Sequence, residues 1–310
     1  MKKMLKGVCY GEILFDVFLE HKKIGGAPLN VASRLNSLGG EISMISAVGN
    51  DANGEKLVDY LNTVGINTKT VQIKENYGTG VVNVILNEKG NASYDISYPA
   101  AWDKIEASPV STQVVKDADF FVYGSLSSRD LVSNNTLKEL LKVAKYSIFD
   151  VNLRVPHYTK SNILELLQVA DFIKFNDDEL HEICQDLNSD KKSLEQNILF
   201  IAEKTNTKTI CVTLGSHGAV LYCNNKFYHN CGFRVNVVDT VGSGDSFLAS
   251  LIIKLLSGED PQHAINFASA IGAIVAKNEG ANPVITQQEI DSFLIGFESK
   301  KKQVANYNSI

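Results

Sequence analysis

Phe172-Ile173-Lys174-Phe175-Asn176-Asp177-Asp178-Glu179-Leu180 holds the fold in miniature: a short apolar run, a polar cluster, then the start of a helical pattern. The same passage recurs on either side. Apolar runs at Phe120–Tyr123, Ser147–Asp150 and Thr209–Leu214 read as further strands. Helical patterns near Leu131–Lys145, Ile163–Val169, Glu179–Cys184 and Leu194–Lys204 alternate with them. Strands buried on both faces and separated by helices imply an α/β fold, a mostly parallel sheet flanked by helices on both faces. In such a sheet, ligands gather beyond the carboxyl ends of the strands. Asp16, Asp150 with Asn152, Asn176 and Gly215 each follow an expected strand, so polar groups converge on one edge.

Before this region, Val8 to Phe15 reads as a buried strand with Asp16 at its end. A helix starts near Pro28, with Val31, Leu35 and Leu38 on one face and Gly39 as its stop. Ile42 to Val48 reads as a strand and Gly54 to Val64 as a helix. Three β-rich runs follow without an intervening helix: Thr70–Lys74, Gly80–Leu86 and Ala92–Ser97. Asn87-Glu88-Lys89-Gly90 suits a hairpin connection, so a small antiparallel β element is expected over about 68–98, apart from the main sheet. Beyond the alternating region, Phe247–Leu256 has a continuous apolar face, and Asp260-Pro261 gives a cap and a first-turn proline for another helix. No repeat or flexible linker divides the chain, which reads as one domain over 1–310 carrying a small β subdomain.

The 310 residues are 44% hydrophobic and 21% charged, an ordinary globular composition large enough to need no disulfide or metal staple. A net charge of −5 argues against nucleic acid or an anionic membrane as partner. The basic clusters Lys2, Lys3, Lys6 and Lys300–Lys302 read as solvated termini. Five scattered cysteines with no Cys-x-x-Cys read as reduced thiols of a cytoplasmic protein. The basic start leads into a stretch broken by Gly11, Glu12 and Asp16, which makes no signal-peptide core, and no run reaches membrane-spanning length. The histidines form no zinc pattern.

Two segments carry chemistry. Asp239-Thr240-Val241-Gly242-Ser243-Gly244-Asp245 runs into the helix at Phe247. Glycines around a serine let backbone N–H groups turn outward, and a helix start adds its unpaired N–H groups and the positive end of its dipole. A carboxylate there would repel an anion, so Asp245 makes sense as a group that takes a proton from a nucleophile beside a phosphate. Standing alone, it would read as a plain helix-capping acid. Gly242-x-Gly244 is not a dinucleotide fingerprint, since Phe247 stands at the third glycine position, and neither Gly-Lys-Ser/Thr nor His-Arg-Asp occurs. The second segment is Gly25-Gly26-Ala27-Pro28-Leu29-Asn30-Val31-Ala32. Its glycines bring backbone close to a ligand, and Asn30 offers both a donor and an acceptor to sugar hydroxyls.

At these two segments the chain resembles the ribokinase-like (PfkB) family of carbohydrate kinases, and intermediate marks fall in family order. Asn176-Asp177-Asp178-Glu179 looks like the family's Asn-x-x-Glu element, and Thr213-Leu214-Gly215-Ser216-His217-Gly218 like its nucleotide-binding turn. The resemblance implies an ATP-dependent sugar kinase with Asp245 as catalytic base and Gly242, Ser243 and Gly244 as anion hole. It puts Asp16, Gly26 and Asn30 on the sugar, and the β-rich element over it as a lid. Asn176, Thr213, Gly215, Gly218 and Asn278 fall on the nucleotide, and Glu179 on Mg²⁺, through water. A monovalent cation such as K⁺ is implied near the Asn278–Asn282 loop and the Asp239 turn. The exposed edges of a β lid offer pairing to a second copy, a homodimer.

Gly11–Asp16, Pro99–Asp103 and Asp150–Arg154 look most like the fructokinase branch, which implies Asn152 and Arg154 on the sugar. Arg154 reads equally as a surface ion-pair residue, and Trp102 either lines the sugar pocket or anchors the loop after the lid. Kinases for 2-keto-3-deoxygluconate, ribose or a nucleoside stay open within the class. Outside it stands a non-catalytic sugar-binding regulator on the same fold.

Overall fold

The computed structural model describes residues 4–86 and 92–295. The first half of the chain forms β1 (Lys6–Tyr10), β2 (Leu14–Val17), β3 (Lys22–Gly25), α1 (Ala27–Ser37), β4 (Glu41–Gly49), α2 (Ala52–Thr63), β5 (Asn67–Lys74), β6 (Gly80–Leu86), β7 (Ala92–Ile96), α3 (Pro109–Asp117), β8 (Phe120–Gly124) and α4 (Leu131–Leu141). The second half adds β9 (Ser147–Asp150), α5 (Lys160–Gln168), β10 (Phe172–Asn176), α6 (Asp177–Asp186), α7 (Leu194–Thr205), β11 (Thr209–Thr213), β12 (Ala219–Cys223), β13 (Lys226–Asn230), α8 (Ser243–Leu256) and α9 (Pro261–Ala276).

The main sheet runs β13-β12-β11-β10-β9-β8-β1-β4-β5. It is parallel from β11 to β5, and β12 and β13 form an antiparallel edge. Alternation along each strand feeds two cores. Tyr10, Phe121, Tyr123, Phe149 and Phe175 face one side and pack with Leu137, Leu166, Leu180 and Ile198 of α4 to α7. Cys9, Phe120, Val122, Ile148 and Phe172 face the other and pack with Leu35, Leu61, Leu248, Leu251 and Ile265 of α1, α2, α8 and α9. This two-sided burial is what the apolar strand runs required. The strand order reverses around β1, whose sheet neighbours β4 and β8 both follow it in sequence, and that is where a parallel α/β sheet opens a crevice.

The second sheet runs β3-β2-β6-β7 and corrects three expectations. Val8–Phe15 is not one strand. β1 ends at Tyr10, and Gly11, at φ +137°, turns the chain out of the main sheet into β2. A Cβ at Gly11 would meet Pro28 Cγ at 2.9 Å. Asp16 therefore lies within the small sheet and not after a main-sheet strand. Thr70–Lys74 is part of β5, which pairs in parallel with β4 in the main sheet. The small sheet thus takes only β6 and β7 from the expected element. Its two hairpin pairs are antiparallel, while the central β2–β6 pair is parallel. The connection at 87–90 lies outside the described residues.

Two elements had readable signals that went unused. Asn224 and Asn225, both at positive φ (49° and 65°), make the two-residue turn between β12 and β13. Ser108 caps α3 ahead of Pro109. No helix among the described residues is long and apolar enough to cross a membrane.

Candidate active site

α8 starts at Gly242, which adopts φ +74° as its N-cap, and no side chain caps this end. Ser246 N–H is bonded to Gly242 O at 2.8 Å, so the amides of Ser243, Gly244 and Asp245 form the open first turn. Ser243 N–H donates to Thr240 O at 3.2 Å, and its hydroxyl donates to Gly272 O at 2.9 Å. Ser243 is therefore already committed to protein partners, and Gly244 and Asp245 supply the amides that remain. The turn borders a cavity of about 590 Å³ lined by Thr213, Gly215, Gly218, Phe233, Thr240 and Gly244 among others. A groove of about 640 Å³ lies at the opposite end of the sheet, by Tyr146, Asp171 and Thr209, where the strands begin and no ligand edge is expected.

Asp245 Oδ2 accepts a hydrogen bond from Asn30 Nδ2 at 2.8 Å, so the two sequence motifs meet across 215 residues. Burial pushes the Asp245 carboxyl up to about 6, and the Asp150 charge adds to the rise. The Asn30 bond and the Lys174 and Arg154 charges pull the other way. Asn30 is buried in the first turn of α1, and its Oδ1 accepts from Asn282 Nδ2 at 2.8 Å. Each end of the Asn30 amide keeps one more hydrogen-bonding capacity for a ligand.

Asp16 is half-buried and its carboxyl is likewise pushed up to about 6 by burial, with Arg154 opposing. The two glycines beside it have separate causes. A Cβ at Gly25 would fall 2.3 Å from Asp16 Oδ2. One at Gly26, at φ +109°, would fall 2.5 Å from Glu12 O. Asn152 stands at φ +38°, a left-handed conformation that asparagine tolerates, and carries the chain into Arg154. Arg154 is exposed and makes no ion pair within the described residues, so the surface-bridge reading does not hold. Its charge is felt instead by Glu12, Asp16 and Asp245.

Trp102 departs from the sugar-pocket reading, and Asn176, Asn278 and Glu179 each have protein partners. Trp102 is fully buried and does not line a sugar pocket; its Nε1 would lie 2.5 Å from a Cβ at Gly80, and the Arg129 guanidinium stacks 4.1 Å from its ring. It anchors the root of the small sheet. Asn176 lies outside the cavity lining, and its side chain caps α6, accepting from Glu179 N–H at 2.8 Å. Asn278 does the same kind of work at the end of α9, donating to Ile274 O at 2.8 Å. Glu179 is buried, and both its oxygens accept backbone N–H groups, from Leu153 at 3.0 Å and Asn176 at 2.8 Å. It thereby ties the Asn152–Arg154 loop to α6.

Sequence reasoning missed three groups. Glu12, buried after β1, has its carboxyl pushed up to about 7 by burial, and its Oε2 has no hydrogen-bond partner. Lys174 is buried with its Nζ 2.9 Å from Asp150 Oδ1, beneath Gly244. Burial alone would lower its ammonium; the Asp150, Glu179 and Asp245 charges outweigh that and hold it above the usual range. Asn282 is the third. A lysine in an otherwise apolar buried strand was the one signal available in advance.

Among the described residues no group of three or more His, Cys, Asp and Glu is arranged to hold a metal ion. Mg²⁺ is commonly held by one or two carboxylates with water and phosphate oxygens. Asp150 Oδ2, buried without a partner, and Glu179 beside Lys174 fit that pattern.

A parallel sheet covered on both faces, with an open helix start and a buried carboxylate in its first turn, defines an α/β protein with its candidate site at the strands' carboxyl edge. Over residues 5–288 the sequence matches the pfkB family of carbohydrate kinases, and the chain belongs to that family. Fructokinase-2 of Oryza sativa subsp. japonica is 29% identical over 292 residues, covering 88% of this chain and 85% of the relative. The fructokinase of Xylella fastidiosa with bound ATP superposes with a TM-score of 0.83 at 22% identity, over 96% of this chain and 100% of the other. A double-mutant fructokinase from Vibrio cholerae O395, bound to fructose, ADP and potassium, gives 0.82 at 22% identity, over 95% and 99%. The protein is a sugar kinase.

Proposed function

We propose that this kinase transfers the γ-phosphate of ATP to D-fructose, giving fructose 6-phosphate, with Asp245 as the base. The observation that carries the reading is the Asn30–Asp245 hydrogen bond at the open start of α8. It sets a carboxylate between the sugar motif and the cavity that would take the nucleotide. Asp16, Asn30, Asn152 and Arg154, with the backbone at Gly26, would hold the sugar, and the small sheet would cover it as a lid. Thr213, Gly215 and Gly218 would contact the nucleotide, and the amides of Gly244 and Asp245 would meet the transferring phosphoryl group. Mg²⁺ bound with ATP would neutralise phosphate charge, and Asp150 and Glu179 would help hold it, with water. Fructose is favoured by the fructokinase relatives.

Initial rates with fructose, ribose and 2-keto-3-deoxygluconate, for wild type and Asp245→Asn, test this. The variant is expected to keep sugar binding and lose about 10³-fold in kcat. A variant that turns over like wild type removes Asp245 from the chemistry. One observation favours a second substrate. The exposed Arg154 guanidinium, in no ion pair among the described residues, suits a sugar acid carboxylate, so 2-keto-3-deoxygluconate would displace fructose if its kcat/KM were higher by orders of magnitude.

A further inference from the structure

Asp245 meets Asn30, and Asn30 meets Asn282, in an unbroken line of two 2.8 Å hydrogen bonds. The direction of each bond is fixed by chemistry. An ionised carboxylate only accepts, so Asn30 must present its NH₂ to Asp245 and turn its carbonyl away. Only a donor can meet that carbonyl, and the NH₂ of Asn282 is the donor in place. A flipped Asn30 amide would set a carbonyl oxygen against the Asp245 carboxylate and another NH₂ against that of Asn282. Asn282 Oδ1 is buried without a partner, so the donating end is the one the structure employs.

The loop bearing Asn282 is held on three sides. Gly280 N–H donates to Asp239 Oδ2 at 3.1 Å, and Arg34 Nη2 donates to Pro283 O at 2.9 Å. Between them Ala281 presses on the cap of α8: a Cβ at Gly242 would lie 2.5 Å from Ala281 Cβ. The loop and the start of α8 therefore form one packed unit, and Asn282 approaches Asn30 from a fixed base.

We propose that Asn282 is a positioning residue: by donating to Asn30 Oδ1 it locks the Asn30 amide in the orientation that donates to Asp245. This rests on the reading of Asp245 as the base. The loop flanking the phosphate turn then sets the hydrogen-bonded state of the carboxylate that takes the proton. Breaking the lock weakens the bond that favours the ionised form of Asp245, and its acid limb must rise. The charged groups facing Asp245 are Glu12 from the β1–β2 link, Asp150 at the end of β9, Arg154 from the following loop and Lys174 from β10. All remain in Asn282→Leu, which adds no charge, so movement of the limb in that variant reports on Asn30.

The experiment is the pH profile of kcat/KM for the sugar at saturating ATP, for wild type, Asn282→Leu and the isosteric Asn282→Asp. The acid limb is expected to rise by about half a pH unit in Asn282→Leu and further in Asn282→Asp, where an acceptor draws the Asn30 NH₂ away from Asp245. kcat should fall about twofold to tenfold, with KM for ATP unchanged. The Asp variant keeps the shape of asparagine and serves where leucine disturbs packing. An active wild type with an unmoved limb in both variants, or with ATP KM as the only constant altered, overturns the inference alone. A wild type that phosphorylates no sugar overturns the underlying reading and the inference with it.

Discussion

Two buried ion pairs, Asp103–Arg129 and Asp150–Lys174, are finished to different degrees. In Asp103–Arg129, at the root of the small sheet, the guanidinium meets both carboxylate oxygens at 2.8 Å and donates to Ser97 O at 2.6 Å. Asp103 also accepts Ala100 N–H at 2.8 Å, and the Trp102 ring covers the cation. In Asp150–Lys174, beneath the start of α8, one oxygen takes the ammonium and the other has no partner. A fully satisfied buried network holds a structure rigid; a half-satisfied one costs free energy that only a further ligand offsets. The completed pair belongs to the scaffold, and the incomplete one belongs to the site.

The largest expected effect sharpens that contrast. Arg129→Ala leaves Asp103 buried and alone, and should cost about 3–5 kcal/mol of stability, read by denaturant unfolding. Lys174→Met also strands a buried carboxylate, Asp150, and should cost stability, but its distinguishing effect is on chemistry. The Lys174 charge helps keep Asp245 ionised, so its loss should raise the acid limb of kcat/KM by about one pH unit. The sign follows from the base role. With its carboxyl near 6, wild-type Asp245 loses its ionised form below that pH, so activity falls about tenfold per unit, and anything raising the pKa moves the fall upward. If Lys174→Met destabilises as much as Arg129→Ala and leaves the pH profile unmoved, the contrast is broken. The smallest effect concerns the small sheet itself. Lys23 reaches Glu279 at 2.9 Å and Asp239 at 3.6 Å, in partly exposed pairs joining that sheet to the chain before α8 and the loop after α9. Lys23→Ala should raise the sugar KM about twofold to fivefold, less at high salt.

The main sheet was legible because strands buried on both faces have no alternative to an apolar run, and helices between them leave a distinct period. The small sheet was not, because its pairing depends on distance. Nothing local to Leu14–Val17 says that it leaves β1 at Gly11 to lie parallel to β6. Likewise Thr70–Lys74 has the look of a lid strand until β4 is seen beside it. Asp245 and Asn30, read from two separate motifs, do meet in space, since each motif fixes its own backbone. Asn176 and Asn278 show a second use: the same amide group that suits a ligand also bonds a helix end, which the motif does not reveal. Glu12, Lys174 and Asn282 act through partners distant in sequence, which no spacing reveals.

Gly25 and Gly26 read as a single signature, yet their contacts separate them. The first yields room to a flexible acid, Asp16; the second yields to a rigid carbonyl that the chain must pass in order to fold. On the role proposed for Asp16, a descendant released from sugar binding would be free to fill position 25 while position 26 stayed closed. An intact doublet is thus testimony to retained recognition, and a lone surviving glycine only to retained shape.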